Sequence, residues 1–147
     1  MKKKQMQAAI EALSPIKPNR ITDKDIRKAV QSNFLTLLDE QRKYELAVKD
    51  LEKVHLGASK DEQEEVHQLK MRLQRETDRE KRQAIQREID SHADLFEDVR
   101  EFNKAVIALG EETVTMQMID REKFLSEIDS MDYDFGMIKA LSPMFNA

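Results

Sequence analysis

Two pairs of a glutamate and a histidine three residues apart have the clearest chemical meaning in this sequence. They are Glu52 with His55 and Glu64 with His67. This spacing puts both side chains on one face of a helix, and helical bundles use such pairs with carboxylates of facing helices to hold metal ions. However, Glu64 lies about 160° around the helix from the apolar Val66. We therefore expect solvated surface here, with a metal-binding helical bundle as an alternative.

Other catalytic patterns are missing from the sequence. The chain has no cysteine, which excludes thiolate nucleophiles and thiolate metal sites. No serine lies in a Gly-x-Ser-x-Gly turn, and three glycines in the whole chain provide no phosphate-binding loop. We expect a protein that is not an enzyme and uses no cofactor.

Basic residues are concentrated at the start of the chain. Residues 1–28 contain eight Lys and Arg against three acids, whereas residues 111–147 contain three against eight. Such a basic segment can contact nucleic-acid phosphates, although this one lacks the interleaved aromatic residues that stack on single strands. Nucleic-acid binding is therefore an alternative function. Its candidate residues are Lys2, Lys3, Lys4, Lys17, Arg20, Lys24, Arg27 and Lys28.

The composition predicts a mostly α fold. Apolar residues make up 39% of the chain and charged residues 37%, and three Gly with three Pro are too few for a sandwich or a barrel. We expect no membrane association, because no long apolar run occurs. The stretch 5–13 after the first lysines is short and interrupted by polar residues, so it does not resemble a secretory segment. We expect a cytoplasmic protein.

The first half of the chain predicts a short helix and then a long one. Residues 1–20 form an amphipathic helix over 5–13 and a hinge marked by Pro15 and Pro18. Thr22 with Asp25 approximates a capping box, and a helix from about 23 to 55 should follow. Its seam residues alternate in steps of four and three, as in a coiled coil. They are Val30, Phe34, Leu37, Gln41, Tyr44, Val48, Leu51 and His55.

A second helical arm should return along the first. Gly57 is placed to end the long helix, and Ser59 with Glu62 forms a capping box for the next. A short loop between long helices predicts a long, coiled-coil-like antiparallel hairpin over 21–110. The ten residues 74–83 include no apolar side chain, which predicts either a register shift or a break near 75–80. Polar residues at seam positions would fix the register, namely Gln41, His55, His92 and Asn103.

The pattern changes after Gly110. Val114, Met116 and Met118 alternate with polar residues, which predicts either a short strand paired with another chain or an extended segment packed on the helices. Asp120 can cap a last helix, and the aromatic, Met-rich residues beyond it are too apolar for solvent. We assign residues 111–147 to packing and oligomerisation.

Together these elements predict a helical protein–protein interaction module. Narrow seams bury too little surface to stabilise such long helices alone, so self-association or a protein partner should cover the apolar side chains that remain exposed. We expect a homo-oligomer or a partner-bound protein that acts as an adaptor, an assembly factor or a binding inhibitor. The side chains expected to make the contacts are Phe34, Leu37, Tyr44, Val48, Leu51, Met116, Met118, Phe124, Tyr133, Phe135 and Phe145.

Overall fold

The computed structural model describes residues 1–129 and 131–146 and confirms a mostly α fold. Its contacts divide the chain into unit 1, formed by Met1–Leu46 with Ala108–Ala147, and unit 2, formed by Ala47–Ile107. The α-helices are α1 (Met6–Leu13), α2 (Lys24–Leu56), α3 (Lys60–Arg75), α4 (Arg79–Asp90), α5 (Ala93–Glu111), α6 (Arg121–Ile128) and α7 (Phe135–Leu141).

The long helix α2 lies within one residue of its predicted bounds and has 33 residues. The predicted cap is wrong by one position, because Asp23 and not Thr22 caps the helix. The Asp23 carboxylate accepts hydrogen bonds from the backbone N–H groups of Asp25 and Ile26 at 2.9 and 3.0 Å. The Thr22 hydroxyl instead donates a hydrogen bond to the side chain of Glu127.

The chain does not turn back at Gly57, which corrects the predicted position of the hairpin loop. A 3-10 turn, Gly57–Ser59, joins α2 directly to α3. The backbone of Gly57 does not adopt the left-handed conformation of a glycine cap. The Ser59 hydroxyl donates to the Leu56 carbonyl at 3.1 Å and does not cap α3. The local i to i+3 geometry of a 3-10 turn therefore replaces the expected loop.

The reversal occurs instead at residues 76–78, inside the charged stretch. Asp78 caps α4 by accepting a hydrogen bond from the Lys81 N–H at 3.0 Å. The Arg82 guanidinium donates to the carbonyls of Leu73 and Glu76 at 2.6 and 2.7 Å, which ties α4 back to α3. Of the two sequence alternatives, the structure has the break. The stretch needs no apolar residue because it forms the exposed tip of the α3–α4 pair.

Unit 2 has a small core of its own. Its buried residues are Val66, Leu69, Ile85, Ile89 and Leu95. His92 follows α4, and its Nδ1 lies 2.8 Å from a carboxylate oxygen of Glu62. The prediction that Asn103 occupies a seam is wrong, because its side chain is exposed on α5.

Unit 1 contains the larger core, in which α1 packs against α7. Met6, Leu37, Phe124 and Met144 have no exposed surface. The short N-terminal helix is therefore an integral part of this core. Gly110 permits close packing here, because a Cβ at this position would lie 3.3 Å from the Cβ of Lys4.

Residues 113–118 are extended and packed, and no strand forms among the described residues. A single bridge joins Lys2 to Thr113 and another joins Ile119 to Phe145. The Val114 N–H donates to the Met1 carbonyl and the Ile119 N–H donates to the Met144 carbonyl, each at 2.8 Å. The expectation of a strand is thus corrected in favour of its alternative. Pairing stops at single bridges because the segments opposite turn at once into or out of helical turns.

Candidate interaction surface

A groove in unit 1 lies between the end of α1, the loop that follows it and α2. Its volume is about 390 Å³ and its lining is mainly apolar. Pro15 and Pro18 end α1 and shape the loop, while the buried Ile16 and Ile21 anchor it to the core. The groove is lined by Leu13, Ser14, Ile16, Pro18, Val30, Gln31, Phe34 and Leu35.

The groove continues into an exposed row of side chains on α2, which we call the outer stripe. Leu35 is 67% exposed and Leu38 is 44% exposed, although both are large apolar residues. The steps along the stripe alternate between four and three residues, so its members fall on one face of the helix. The outer stripe consists of Lys24, Lys28, Gln31, Leu35, Leu38 and Arg42.

The outer stripe was not identified from the sequence, because a parallel row one residue away is more apolar. That row contains Val30, Phe34 and Leu37, which the structure places in or against the core of unit 1. A one-residue offset turns a side chain by a little over a quarter of a helical turn, so both rows fit the same spacing. The signal that could have revealed the second row is Leu35 with Leu38, at the same three-residue step.

Hydrogen bonds from other parts of unit 1 hold α2 in place. The Glu127 carboxylate on α6 accepts from the Thr22 hydroxyl at 2.7 Å and from the Thr22 and Asp23 N–H groups at 2.8 Å each. These bonds, above all that of the Thr22 hydroxyl, hold the pKa of Glu127 below its usual value. The side chain of Asn33, only 1% exposed, bonds to the backbone of Gln117. The groove and the outer stripe therefore rest on a fixed helix.

Most side chains predicted to contact a partner are used inside the units. Leu37 and Phe124 are fully buried, so the structure assigns them to the core and not to a docking surface. Met118 is 52% exposed and Phe135 is 89% exposed. The remaining predicted residues are partly buried: Phe34, Tyr44, Met116, Tyr133 and Phe145 against the core of unit 1, and Val48 and Leu51 in unit 2.

The aromatic residues after α6 cover α1 and α6. The Phe124 ring lies 5.3 Å from that of Phe145 and 6.3 Å from that of Tyr133, measured between centroids. The Tyr133 hydroxyl donates to the Ala12 carbonyl at 2.7 Å. Burial, with a smaller effect of Asp134, raises the pKa of Tyr133. The apolar tail is thus largely accommodated within its own unit.

Half of the basic residues proposed for nucleic-acid contact are engaged within unit 1. Lys2 and Lys4 pair with Glu111, and Lys3 pairs with Glu112 at 2.6 Å. Hydrogen bonds from Lys2 and then Lys4 lower the pKa of Glu111 to about 2.

Arg27 is also engaged, because its Nε donates to the Ile21 carbonyl at 3.1 Å. The other four basic candidates are exposed and form no ion pair within residues 1–129 and 131–146. They are Lys17, Arg20, Lys24 and Lys28.

The structure does not assemble the candidate metal ligands into a site. Glu52, Glu64 and His67 are exposed and His55 is half-buried. In the part of the chain that the structure describes, no group of three or more His, Asp or Glu side chains is arranged to hold a metal ion. Within the same ranges, no helix has both the length and the apolar character needed to cross a bilayer.

A second groove, of about 560 Å³, lies beside α7 in unit 1. The exposed ring of Phe135 and the cationic side chains of Arg121 and Lys139 contribute to its walls.

The chain matches no known protein family, no curated protein and no solved structure.

Proposed function

We propose that this protein is a non-enzymatic interaction module that binds an amphipathic helix of a partner protein. The binding surface is the α1–α2 groove together with the outer stripe. The observation that carries the proposal is Leu35, which lines the groove and is nevertheless 67% exposed. A helix laid in this groove would bury Leu35 and Leu38 against its own apolar face.

The spacing of the surface supports this mode of binding. Two helices that pack along each other make contact through side chains spaced three and four residues apart, and the outer stripe presents Gln31, Leu35 and Leu38 at those steps. The bonds of Glu127 and Asn33 fix α2 beforehand. Little ordering entropy is then lost when a partner docks.

Self-association through the same surface is the second candidate. Two copies of α2 can pack antiparallel with Leu35 of one copy against Leu38 of the other, which is the symmetry of an isologous dimer. The expected homo-oligomer therefore stays a prediction, as do the cytoplasmic location and the roles of adaptor, assembly factor or inhibitor.

The test uses a fluorescent peptide of about 20 residues designed as an amphipathic helix with leucine at the heptad seam. We expect saturable binding, and we expect Leu35→Asp to weaken it by at least about tenfold. Ile107→Asp is the matched control, because Ile107 is also 67% exposed but lies outside the groove. Absence of binding, or equal losses in both variants, would contradict the proposal.

Light scattering coupled to size exclusion separates the two candidates. A wild-type monomer supports binding of a partner helix. A dimer that Leu35→Asp dissociates and Ile107→Asp leaves intact would show that the occupant is a second copy, and would replace the first candidate by the second.

A further inference from the structure

Resting on the proposed function, we infer that the partner helix has acidic residues beside its apolar face and is selected by basic residues around the groove. These are the exposed Lys17, Arg20, Lys24 and Lys28. They are also the basic candidates that remain after Lys2, Lys3, Lys4 and Arg27 are accounted for by contacts within unit 1.

The positions of these residues place positive charge at the edges of the apolar surface. Lys24 and Lys28 precede Gln31 on the outer stripe by about two turns and one turn. Lys17 lies in the chain between Ile16 and Pro18, which both line the groove. Arg20 ends the 3-10 turn that begins at Pro18.

Nearby acidic groups offset only part of this charge. The carboxylate of Asp23 caps α2, and that of Glu127 is held by Thr22 and Asp23. Farther along α2, Asp39 and Glu40 both pair with Lys43. Residues 17–28 contain five Lys and Arg against Asp23 and Asp25, and Glu127 adds a third negative charge, so the local balance stays positive by two charges and favours an acidic ligand.

The arrangement favours a protein helix over nucleic acid. Phosphate backbones need cations but no apolar groove, and single-stranded nucleic acid is usually held by exposed aromatic rings. Leu35 and Leu38 lie on the same stripe as Lys24 and Lys28 and offer no stacking surface. A ligand that covers the two leucines and pairs with the two lysines must combine an apolar face with carboxylates.

Charge gives two copies of the protein little reason to pair here. In an antiparallel pairing centred on Leu35 and Leu38, Lys28 faces Glu45 of the other copy, which is favourable. In the same register Lys24 faces Lys49, which is unfavourable and offsets the first pair. A separate acidic helix avoids this conflict.

The experiment compares two peptides with identical leucine seams, one with glutamate and one with lysine at the flanking positions. We expect the glutamate peptide to bind wild-type protein at least about tenfold more tightly at low salt, with a difference that shrinks as salt is added. Lys24→Glu/Lys28→Glu should abolish or reverse this preference. Lys53→Glu/Lys60→Glu is the control, because both lysines are exposed and lie outside the groove and the outer stripe.

The outcomes separate this inference from the proposed function. If both peptides bind equally and Leu35→Asp still weakens both, the charge selection is wrong and the interaction module stands. If neither peptide binds, both proposals fail. If a labelled DNA duplex binds more tightly than the glutamate peptide at physiological salt, and Lys24→Glu/Lys28→Glu removes that binding, the basic residues form a nucleic-acid surface and the inference is overturned.

Discussion

The side-chain amide of Asn33 pairs with both backbone polar groups of Gln117. Its Oδ1 accepts from the Gln117 N–H at 2.8 Å, and its Nδ2 donates to the Gln117 carbonyl at 2.9 Å. Asn33 is 1% exposed, so these bonds are sheltered from water. A side chain of α2 thus provides the extended segment with the pairing that a neighbouring strand would otherwise supply.

Replacing Asn33 should destabilise unit 1. Asn33→Ala leaves two polar groups of Gln117 without their partner, and we expect a loss of about 2–4 kcal/mol in the free energy of unfolding. Asn103→Ala removes an exposed amide and should change stability by less than about 0.5 kcal/mol. Urea denaturation measures the loss, and hydrogen exchange at the Gln117 amide shows whether it arises at this contact. Unchanged protection of that amide in Asn33→Ala would contradict the assignment.

Alanine substitutions at two glycines test where the chain turns. A methyl group added at Gly57 would meet no atom within 4 Å, and the backbone there is not left-handed, so Gly57→Ala should raise stability by about 0.5–1 kcal/mol. At Gly110 the added methyl would meet Lys4 at 3.3 Å, and we expect no such gain. Thermal unfolding of the two variants checks the contrast. Destabilisation by Gly57→Ala would contradict this assignment and support the glycine-capped loop predicted from the sequence.

Two neighbouring residues at the tip of the α3–α4 pair, Thr77 and Asp78, test where α4 begins. Asp78→Ala removes the cap of α4 and should cost about 1 kcal/mol. Thr77→Ala is the control, because the Thr77 side chain is exposed and makes no capping hydrogen bond among the described residues. Urea unfolding monitored by circular dichroism distinguishes them. A larger effect at Thr77 would mean that the helix begins one residue earlier.

Acid should weaken unit 1 through Glu111. The pairing with Lys2 and Lys4 lowers the pKa of Glu111 from 4.5 to about 2. A group whose pKa is lower in the folded state stabilises the fold above its unfolded pKa, and this stabilisation is lost as the pH falls towards the folded value. The contribution of Glu111 is therefore present above pH 4.5 and disappears towards pH 2.

Melting temperatures of wild type and Glu111→Gln across this pH range check the expectation. The two should differ near neutral pH and converge in acid, and added salt should reduce the difference because the groups are exposed. Glu122→Gln serves as a control, since Glu122 forms no ion pair in the described ranges. Parallel profiles for wild type and Glu111→Gln would show that the lysine pairs contribute nothing.

Local spacing predicted much of the helical structure, and contacts between distant segments account for most of the differences. The row that contains Val30 and Leu37 located α2, because helical periodicity lies within the segment itself. At the reversal beside Asp78, Arg82 donates to the Leu73 carbonyl, a contact between two helices that no capping motif reveals. Asn33 could not be connected with Gln117, because 84 positions separate them.

The candidate surface was predictable only in part, because contacts between distant segments also determine which of its residues are free. The basic residues were visible in the sequence, but Lys2, Lys3 and Lys4 find their partners more than 100 positions away, in Glu111 at the end of α5 and in Glu112 just after it. Periodicity alone could not tell which of two adjacent rows on α2 faces the core. The structure resolves this by placing Leu37 inside and Leu35 outside.

Unit 1 is formed by two separate stretches of the chain, and this has a consequence for biosynthesis. On the ribosome, residues 47–107 emerge complete while the first 46 residues still await the segment that closes their core. Met6, fully covered in the finished fold, lies on α1 and lacks its packing against α7 during that interval. Contacts across such long sequence separations form slowly, and exposed apolar surface invites aggregation in the meantime. The nascent chain is therefore expected to need chaperone protection for its opening segment until the last helices have been translated.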